Sequence, residues 1–193
     1  MTLKNKIQLV VVLTALGFAS IAAAGKQGIS FYGGLGLTAI SPNSVSGLEF
    51  DPAAGGNLFL GIEEDGWFLE SVGIATLKAG TNVTNEEYVV TGSVNSLGYR
   101  TLETRSGLYF LLSAGVASMD VTYSQAGFAD VIRKNSGNAV TLGIGLRMDR
   151  TERLELDYSL MRLSDDSVAN SSGNVHMVNI RYIWGGNPYD PRF

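Results

Sequence analysis

The chain has 193 residues, of which 45% are hydrophobic and 17% charged, and its formal net charge is −4. There is no cysteine and one histidine, His176, which excludes disulfides and thiolate metal sites and disfavours a histidine-based metal site. The length suits one domain, the negative charge argues against nucleic acid as a partner, and we expect no cofactor.

The N-terminal segment has the three parts of a secretory signal. Lys4 and Lys6 give it a positive start, an apolar run follows, and three consecutive alanines precede Gly25. The apolar run is short for a transmembrane helix. We therefore predict that residues 1–24 are a cleaved signal peptide and that the mature protein leaves the cytoplasm.

Beyond the signal, apolar residues alternate with polar or small ones in eight segments, and this period of two is typical of β-strands. The segments are 28–39, 55–62, 67–78, 88–102, 107–123, 138–148, 153–163 and 175–184. The sixth segment is the most regular, with Val140 and Leu142 on one face. In the fourth segment Val90 and Leu97 fall on opposite faces, which predicts a bulge near Asn95.

The connections between these segments alternate in length. Short turns are predicted at 63–66, 103–106 and 149–152, and long loops at 40–54, 79–87, 124–137 and 164–174. Short connections join neighbouring antiparallel strands. The alternation therefore predicts an all-β, up-and-down antiparallel barrel over residues 25–184, followed by a short tail over 185–193.

Three features indicate that the apolar faces point outward, toward lipid. Most segments have the length of about 9–11 residues that a tilted strand needs to cross a membrane. Their other faces are small or polar, as inside a membrane barrel. After the signal, the only lysines are Lys26, Lys78 and Lys134, each in or beside a predicted loop, end or rim. A sheet edge in lipid would leave backbone groups unpaired, so the barrel closes, and eight strands leave no open channel.

This orientation assigns two sets of side chains. Charged residues on the inner faces are predicted to pair in a structural polar network: Glu70, Arg147, Glu155, Asp157 and Arg181. Aromatic residues near the strand ends are predicted to form a girdle at the periplasmic interface: Tyr32, Trp67, Tyr99, Tyr109 and Trp184.

Several stretches of the chain resemble the eight-stranded outer-membrane β-barrels, the family of OmpA-like transmembrane domains. They are FYGGLGL, GNLFLGI with GWFLESVGI, and LELDYSL with VNIRYIW. The resemblance implies a Gram-negative outer membrane, contact with its lipid and lipopolysaccharide, insertion by the barrel-assembly machinery, and four surface loops. Tyr182 and Trp184 match the aromatic end of the family's assembly signal, although Phe193 is an alternative terminal aromatic. We expect a monomer.

The favoured function is a non-enzymatic barrel that acts structurally or through its surface loops. A lipid A-modifying enzyme is an alternative, with His176 as base and serine and aspartate partners in the last loop: Ser164, Asp165, Asp166 and Ser167. The lipid A deacylases place a serine two positions after the histidine, where this chain has Val178. Passage of small apolar molecules through a lateral opening at 88–102 is a further alternative. So is a soluble lipocalin-like barrel, which would need a tryptophan well before Trp67.

Overall fold

The structure is a computed structural model, and it describes residues 29–42, 49–83, 85–101, 103–165 and 172–185. The predicted signal peptide at 1–24 lies outside the described residues, as does the tail beyond residue 185. Within the described ranges, no helix is long and apolar enough to cross a membrane.

Eight long strands and one two-residue strand make up the described part of the chain. They are β1 (Ser30–Pro42), β2 (Ala53–Glu64), β3 (Trp67–Thr76), β4 (Ala79–Gly80), β5 (Glu86–Arg100), β6 (Leu108–Gln125), β7 (Val131–Arg147), β8 (Glu152–Asp165) and β9 (Ser172–Gly185). The eight long strands correspond to the eight segments predicted from the sequence.

The long strands form one closed antiparallel barrel. Each pairs with the next long strand along the chain, and β3 pairs directly with β5 while β4 adds to β5 at its end. The first and last strands close the barrel, with Leu35 opposite Tyr182 and Ile40 opposite Met177. No long strand is left with a free edge, so the predicted fold class is confirmed.

Short turns mark one end of the barrel, which we call the turn end; the opposite end is the loop end. At the turn end Asp65 and Gly66 connect β2 to β3 with φ angles of 50° and 85°. Positive φ at both central residues is the requirement of a type I′ hairpin turn, and Asp-Gly meets it at low cost. The predicted turn is therefore confirmed at Asp65 and Gly66, whereas Glu63 and Glu64 belong to β2.

The outer face of the barrel is apolar along most strands. Leu37, Leu58 and Leu142 are 69%, 68% and 56% exposed. The intervening residues, such as Asn57 and Thr141, are buried inside. The prediction that the apolar faces point outward is confirmed, and a soluble lipocalin-like barrel, which needs these residues inside, is excluded.

Strand β5 has no bulge, so that prediction was wrong. Its pairing with β6 runs without a break from Tyr88 opposite Tyr123 to Arg100 opposite Leu111. The apparent change of face has another cause, because the inner face of β5 is apolar at the loop end and polar at the turn end. The outer face of β5 shows the reverse order, because it is polar in its middle and apolar toward the turn end. The three polar residues in its middle are Thr91, Ser93 and Asn95.

The loop predicted at 124–137 is also wrong, because β6 continues to Gln125 and β7 begins at Val131. Thr122 lies opposite Ile132, and Tyr123 opposite Val131. Such β-branched and aromatic cross-strand pairs stabilise a hairpin. A long β6–β7 hairpin therefore replaces the predicted loop.

The interior is only half polar, which corrects the expectation of a polar interior throughout. Charged and polar side chains fill the turn end, whereas the loop end holds buried apolar ones: Ile40, Val90, Val94, Met119, Met161, Leu163 and Met177. The loop-end layer needs no polar partners and excludes water from the polar layer beneath it.

Interior rings pack on glycines that have no side chain to obstruct them. A Cβ atom added to Gly145 would overlap the ring of Tyr109, and one added to Gly61 would overlap the ring of Tyr32. Each glycine thus makes room for a tyrosine whose hydroxyl reaches into the charged layer.

We expect Gly145→Ala to destabilise the barrel by about 1–3 kcal/mol, because the new methyl overpacks the ring of Tyr109. Gly56→Ala is the matched control, since its added Cβ would meet nothing closer than the Gly36 carbonyl at 3.6 Å. Urea unfolding of both variants in lipid vesicles, followed by tryptophan fluorescence, measures the difference. Equal midpoints for the two variants would contradict the packing role of the glycine.

Candidate functional site

Glu155 is at the centre of a charged layer inside the turn end. Its Oε1 accepts hydrogen bonds from Arg100 Nε at 2.8 Å and from the Tyr109 hydroxyl at 2.7 Å, and its Oε2 accepts one from Arg181 Nη2. The side chain of Glu155 is fully buried. An ionised carboxylate in such a place requires these charged partners.

Glu70 is the second acid of the layer. It accepts hydrogen bonds from Arg181 Nη1 and, at 3.0 Å, from the Tyr32 hydroxyl. Arg100 Nη2 lies 3.6 Å from its Oε2. Because Arg181 bonds to both Glu70 and Glu155, one guanidinium joins strands β3, β8 and β9.

Glu63 extends the layer toward the turn end. Arg153 Nη1 donates to Glu63 Oε2 at 2.8 Å, and Arg100 Nη1 lies 3.4 Å from the same oxygen. All three side chains are less than a tenth exposed. Arg100 therefore contacts three carboxylates, those of Glu63, Glu70 and Glu155.

Asp157 links the charged layer to a layer of amides above it. Its Oδ1 accepts a hydrogen bond from Asn179 Nδ2 at 2.7 Å, and Asn57 Nδ2 donates to Asn179 Oδ1 at 3.1 Å. Its Oδ2 is 2.8 Å from Arg181 Nε. Both of those atoms lack a hydrogen bond of good geometry, so that contact is an ion pair only.

Aromatic rings support the guanidinium groups from the side. The Arg100 guanidinium carbon is 4.1 Å from the Phe68 ring centroid and 4.7 Å from that of Tyr32. Arg181 lies over Phe59 at 4.8 Å. Cation–π contacts of this kind are strongest where water is excluded, and they restrict the arginines to a few conformations.

Four of the five predicted interior charges are brought together: Glu70, Glu155, Asp157 and Arg181. Arg147 is not among them, which corrects its assignment. Its Nε donates to Glu103 Oε1 at 2.6 Å, and its side chain is 19% exposed. Arg147 is the last residue of β7, so its side chain reaches the rim rather than the central layer.

Three members of the layer are not among the residues predicted from the sequence: Glu63, Arg100 and Arg153. Glu63 had been assigned to a turn, and the predicted bulge obscured the face of Arg100. Residue parity could have identified Arg153, which shares its face of β8 with Glu155 and Asp157.

Two of the predicted girdle residues were assigned wrongly. Tyr32 and Tyr109 are 2% and 1% exposed and point into the charged layer. Their inward direction follows from the period of two, because their immediate neighbours in the strands occupy the outer face. Trp67 and Trp184 are 58% and 46% exposed at the turn end, and Tyr99 packs against Trp67 at 5.3 Å; their role as a girdle stays a prediction.

His176 lies on β9 near the loop end, and its Nδ1 is 2.5 Å from the Tyr158 hydroxyl. Tyr158 is 42% exposed on the outer face. Ser164 lies opposite Ser172 on β9, whereas Asp166 and Ser167 fall outside the described residues. Among the described residues, His176 therefore has a tyrosine rather than a serine as its hydrogen-bonding partner.

Metal binding has no support within the described ranges, where no group of three or more histidine, aspartate or glutamate side chains could hold an ion. At the loop end, Lys78 donates to Glu87 Oε2 at 2.7 Å, and this hydrogen bond raises the pKa of Lys78. Both side chains are more than half exposed, so the pair contributes little to stability.

A cluster of aromatic rings lies at the loop end. Phe50 packs edge-on against Tyr88 at 5.3 Å and lies 6.3 Å from Tyr123. The Tyr88 hydroxyl donates to the Asp51 carbonyl. The cluster attaches the segment before β2 to β5 and β6 and covers the apolar layer below it.

Two solved structures share this architecture. Neisserial surface protein A (NspA) has a TM-score of 0.67 at 14% identity, over 82% of this chain and 99% of that protein. The N-terminal β-barrel domain of Pseudomonas aeruginosa OprF has a TM-score of 0.50 at 11% identity, over 82% and 98%. No protein-family model and no curated protein matches the chain. The predicted resemblance to eight-stranded outer-membrane barrels is confirmed at the level of the fold.

We expect Glu155→Gln to lower the free energy of unfolding by about 3–5 kcal/mol, because it leaves two buried guanidinium groups short of a counter-charge. Glu87→Gln is the matched control at an exposed ion pair, and we expect it to change little. Urea unfolding of the folded barrel in vesicles measures both. A Glu155→Gln barrel as stable as the wild type would show that the network is dispensable.

Proposed function

We propose that this protein is an integral outer-membrane β-barrel of a Gram-negative bacterium, without enzymatic activity. The observation that carries the proposal is the combination of a closed barrel, an apolar outer face and an ionic interior. In water, an apolar surface of this extent would promote aggregation. In a membrane the same surface contacts acyl chains, and closure of the barrel leaves no unpaired backbone groups facing lipid.

We propose that the interior of the barrel does not conduct ions. The charged layer joins β2, β3, β5, β8 and β9 across the barrel, and the apolar layer lies above it. An ion would have to displace paired charges and then enter a region lined mainly by apolar side chains. The pairing of β3 with β5, and of β5 with β6, is continuous, so this wall offers no support for lateral passage of apolar molecules.

The proposed orientation places the turn end in the periplasm and the loop end at the cell surface. The β6–β7 hairpin favours a surface role, because β6 has 18 residues while crossing the membrane takes about 9–11. The hairpin therefore extends well beyond the membrane. Three apolar residues near its tip are exposed, Phe128 at 73%, Val131 at 53% and Ile132 at 61%, and such patches are typical of interaction sites.

The proposed partners follow from this location. Outer-membrane lipid and lipopolysaccharide surround the apolar face, and the barrel-assembly machinery inserts the chain, with Tyr182 and Trp184 at the end of the last strand in the position of an assembly signal. We propose that the barrel is a monomer, because its strands satisfy one another without a second copy.

Cell fractionation tests the location. We expect the protein in the outer-membrane fraction, with a different gel migration before and after boiling, because a folded barrel resists detergent at room temperature. We also expect no stepwise current from the purified protein in planar bilayers. Recovery from the soluble periplasm would contradict the membrane location, and ohmic current steps would contradict the sealed interior.

Cysteine labelling of intact cells tests the orientation. The chain has no cysteine, so Phe128→Cys introduces one thiol at the hairpin tip and Ser106→Cys one at the turn end. We expect a membrane-impermeant maleimide to label residue 128 in intact cells and residue 106 only after lysis. The reverse order would show that the barrel is inserted in the opposite sense.

A further inference from the structure

The outer face over β7, β8 and β9 changes abruptly from apolar to polar near the loop end. Val140 lies beside Leu160, and both are exposed. One step further, Arg162 lies between Asn138 on β7 and Asn174 on β9, and all three are exposed. A cation flanked by two amides therefore borders the apolar surface.

Arg162 lies at the level where the proposed membrane ends, and this step depends on the proposed function. It is ten residues beyond Glu152, the first residue of β8 at the turn end. Ten residues of a strand tilted by about 40° rise about 25 Å, which is the height of the apolar band on membrane barrels. Arg162 is thus at the headgroup level of the outer leaflet.

Within the part of the chain that the structure describes, no carboxylate pairs with Arg162. Four other arginines each pair with a carboxylate: Arg100, Arg147, Arg153 and Arg181. Arg162 makes no hydrogen bond or ion pair with the side chains that the structure describes, and the same is true of Asn138 and Asn174. Their donors are available to a group outside the barrel.

The neighbouring side chains indicate what that group is. Below this row, opposite Leu160, His176 keeps its Nδ1 on the Tyr158 hydroxyl, which leaves Nε2 as a further polar atom. Further toward the loop end, Lys134 lies opposite Asp120 on β6, so a carboxylate is the cross-strand neighbour of that cation. Below the row, Leu160 and Val178 provide an exposed aliphatic surface. A ligand suited to this site has an anionic head and apolar chains.

We infer that Arg162, Asn138 and Asn174 form a binding site for a phosphate of a phosphorylated glycolipid in the outer leaflet. The planar guanidinium matches two phosphate oxygens, and charge-assisted hydrogen bonds of this kind are the strong ones. The two amides add donors on either side, and the acyl chains lie on the aliphatic surface below. A free phosphate would contact only Arg162 and the two amides, and not the aliphatic surface below them.

Native mass spectrometry of the detergent-solubilised barrel, titrated with bis-phosphorylated hexa-acyl lipid A, tests the site. We expect Arg162→Gln to weaken binding about tenfold, since a charged hydrogen-bonding partner contributes that much. Asn174→Ala should weaken it less. Arg105→Gln is the control, because Arg105 is an exposed arginine at the turn end, and it should bind like the wild type.

Two further titrations identify the source of the phosphate. Lipid A without its phosphates should bind the wild type about as weakly as intact lipid A binds Arg162→Gln, and inorganic phosphate at equal concentration should not compete. Equal binding of intact lipid A by wild type and Arg162→Gln overturns the inference, as does effective competition by inorganic phosphate. Heat-modifiable migration confirms that each variant is folded. A loss of lipid A binding by a folded variant can therefore be distinguished from a failure of the proposed outer-membrane location.

Discussion

Pairing of buried opposite charges is the constraint on which this barrel depends. Four carboxylates and three guanidinium groups occupy the turn end of an eight-stranded interior, and Arg100 and Arg181 each contact three acids. Removing one partner leaves another charge buried and unpaired, which costs far more than an exposed ion pair contributes. The partners come from five different strands, so the network forms only when the sheet has closed, and it is satisfied only when β2, β3, β5, β8 and β9 are all in register.

The charged layer and the apolar layer of the interior both seal the barrel, each by a different interaction. The charged layer crosses it through ion pairs, and the rings of Tyr32 and Tyr109 pack on glycines to reach that layer. The apolar layer at the loop end excludes water without needing partners. The outer face departs from its apolar character in the middle of β5, where Asn95 and its polar neighbours point outward. In lipid an unpaired amide is costly, and none of the described side chains hydrogen-bonds to that of Asn95.

Particular elements show how far the sequence could be interpreted. In β7 and β8 the period of two is uninterrupted, so the outward leucines and the inward Glu155 and Asp157 were predicted correctly. In β5 the same period was obscured, because the strand crosses from the apolar to the polar part of the interior. Along its length the inner face changes from apolar to polar, and the outer face changes from polar to apolar. The β6–β7 hairpin was missed for a similar reason. Its polar residues are typical of loops, yet they belong to strands that continue beyond the apolar band.

What the sequence by itself determined was the number of long strands, their up-and-down order, and the direction of the apolar faces. These are local properties, because residue parity and turn chemistry act within a few residues. Only the tertiary structure decided which charges meet. Arg100 and Glu155 are 55 residues apart along the chain, and Glu63 and Arg153 are 90 apart. Their pairing depends on the register and the stagger of a closed sheet, since the position of each strand around the barrel is set by all the others.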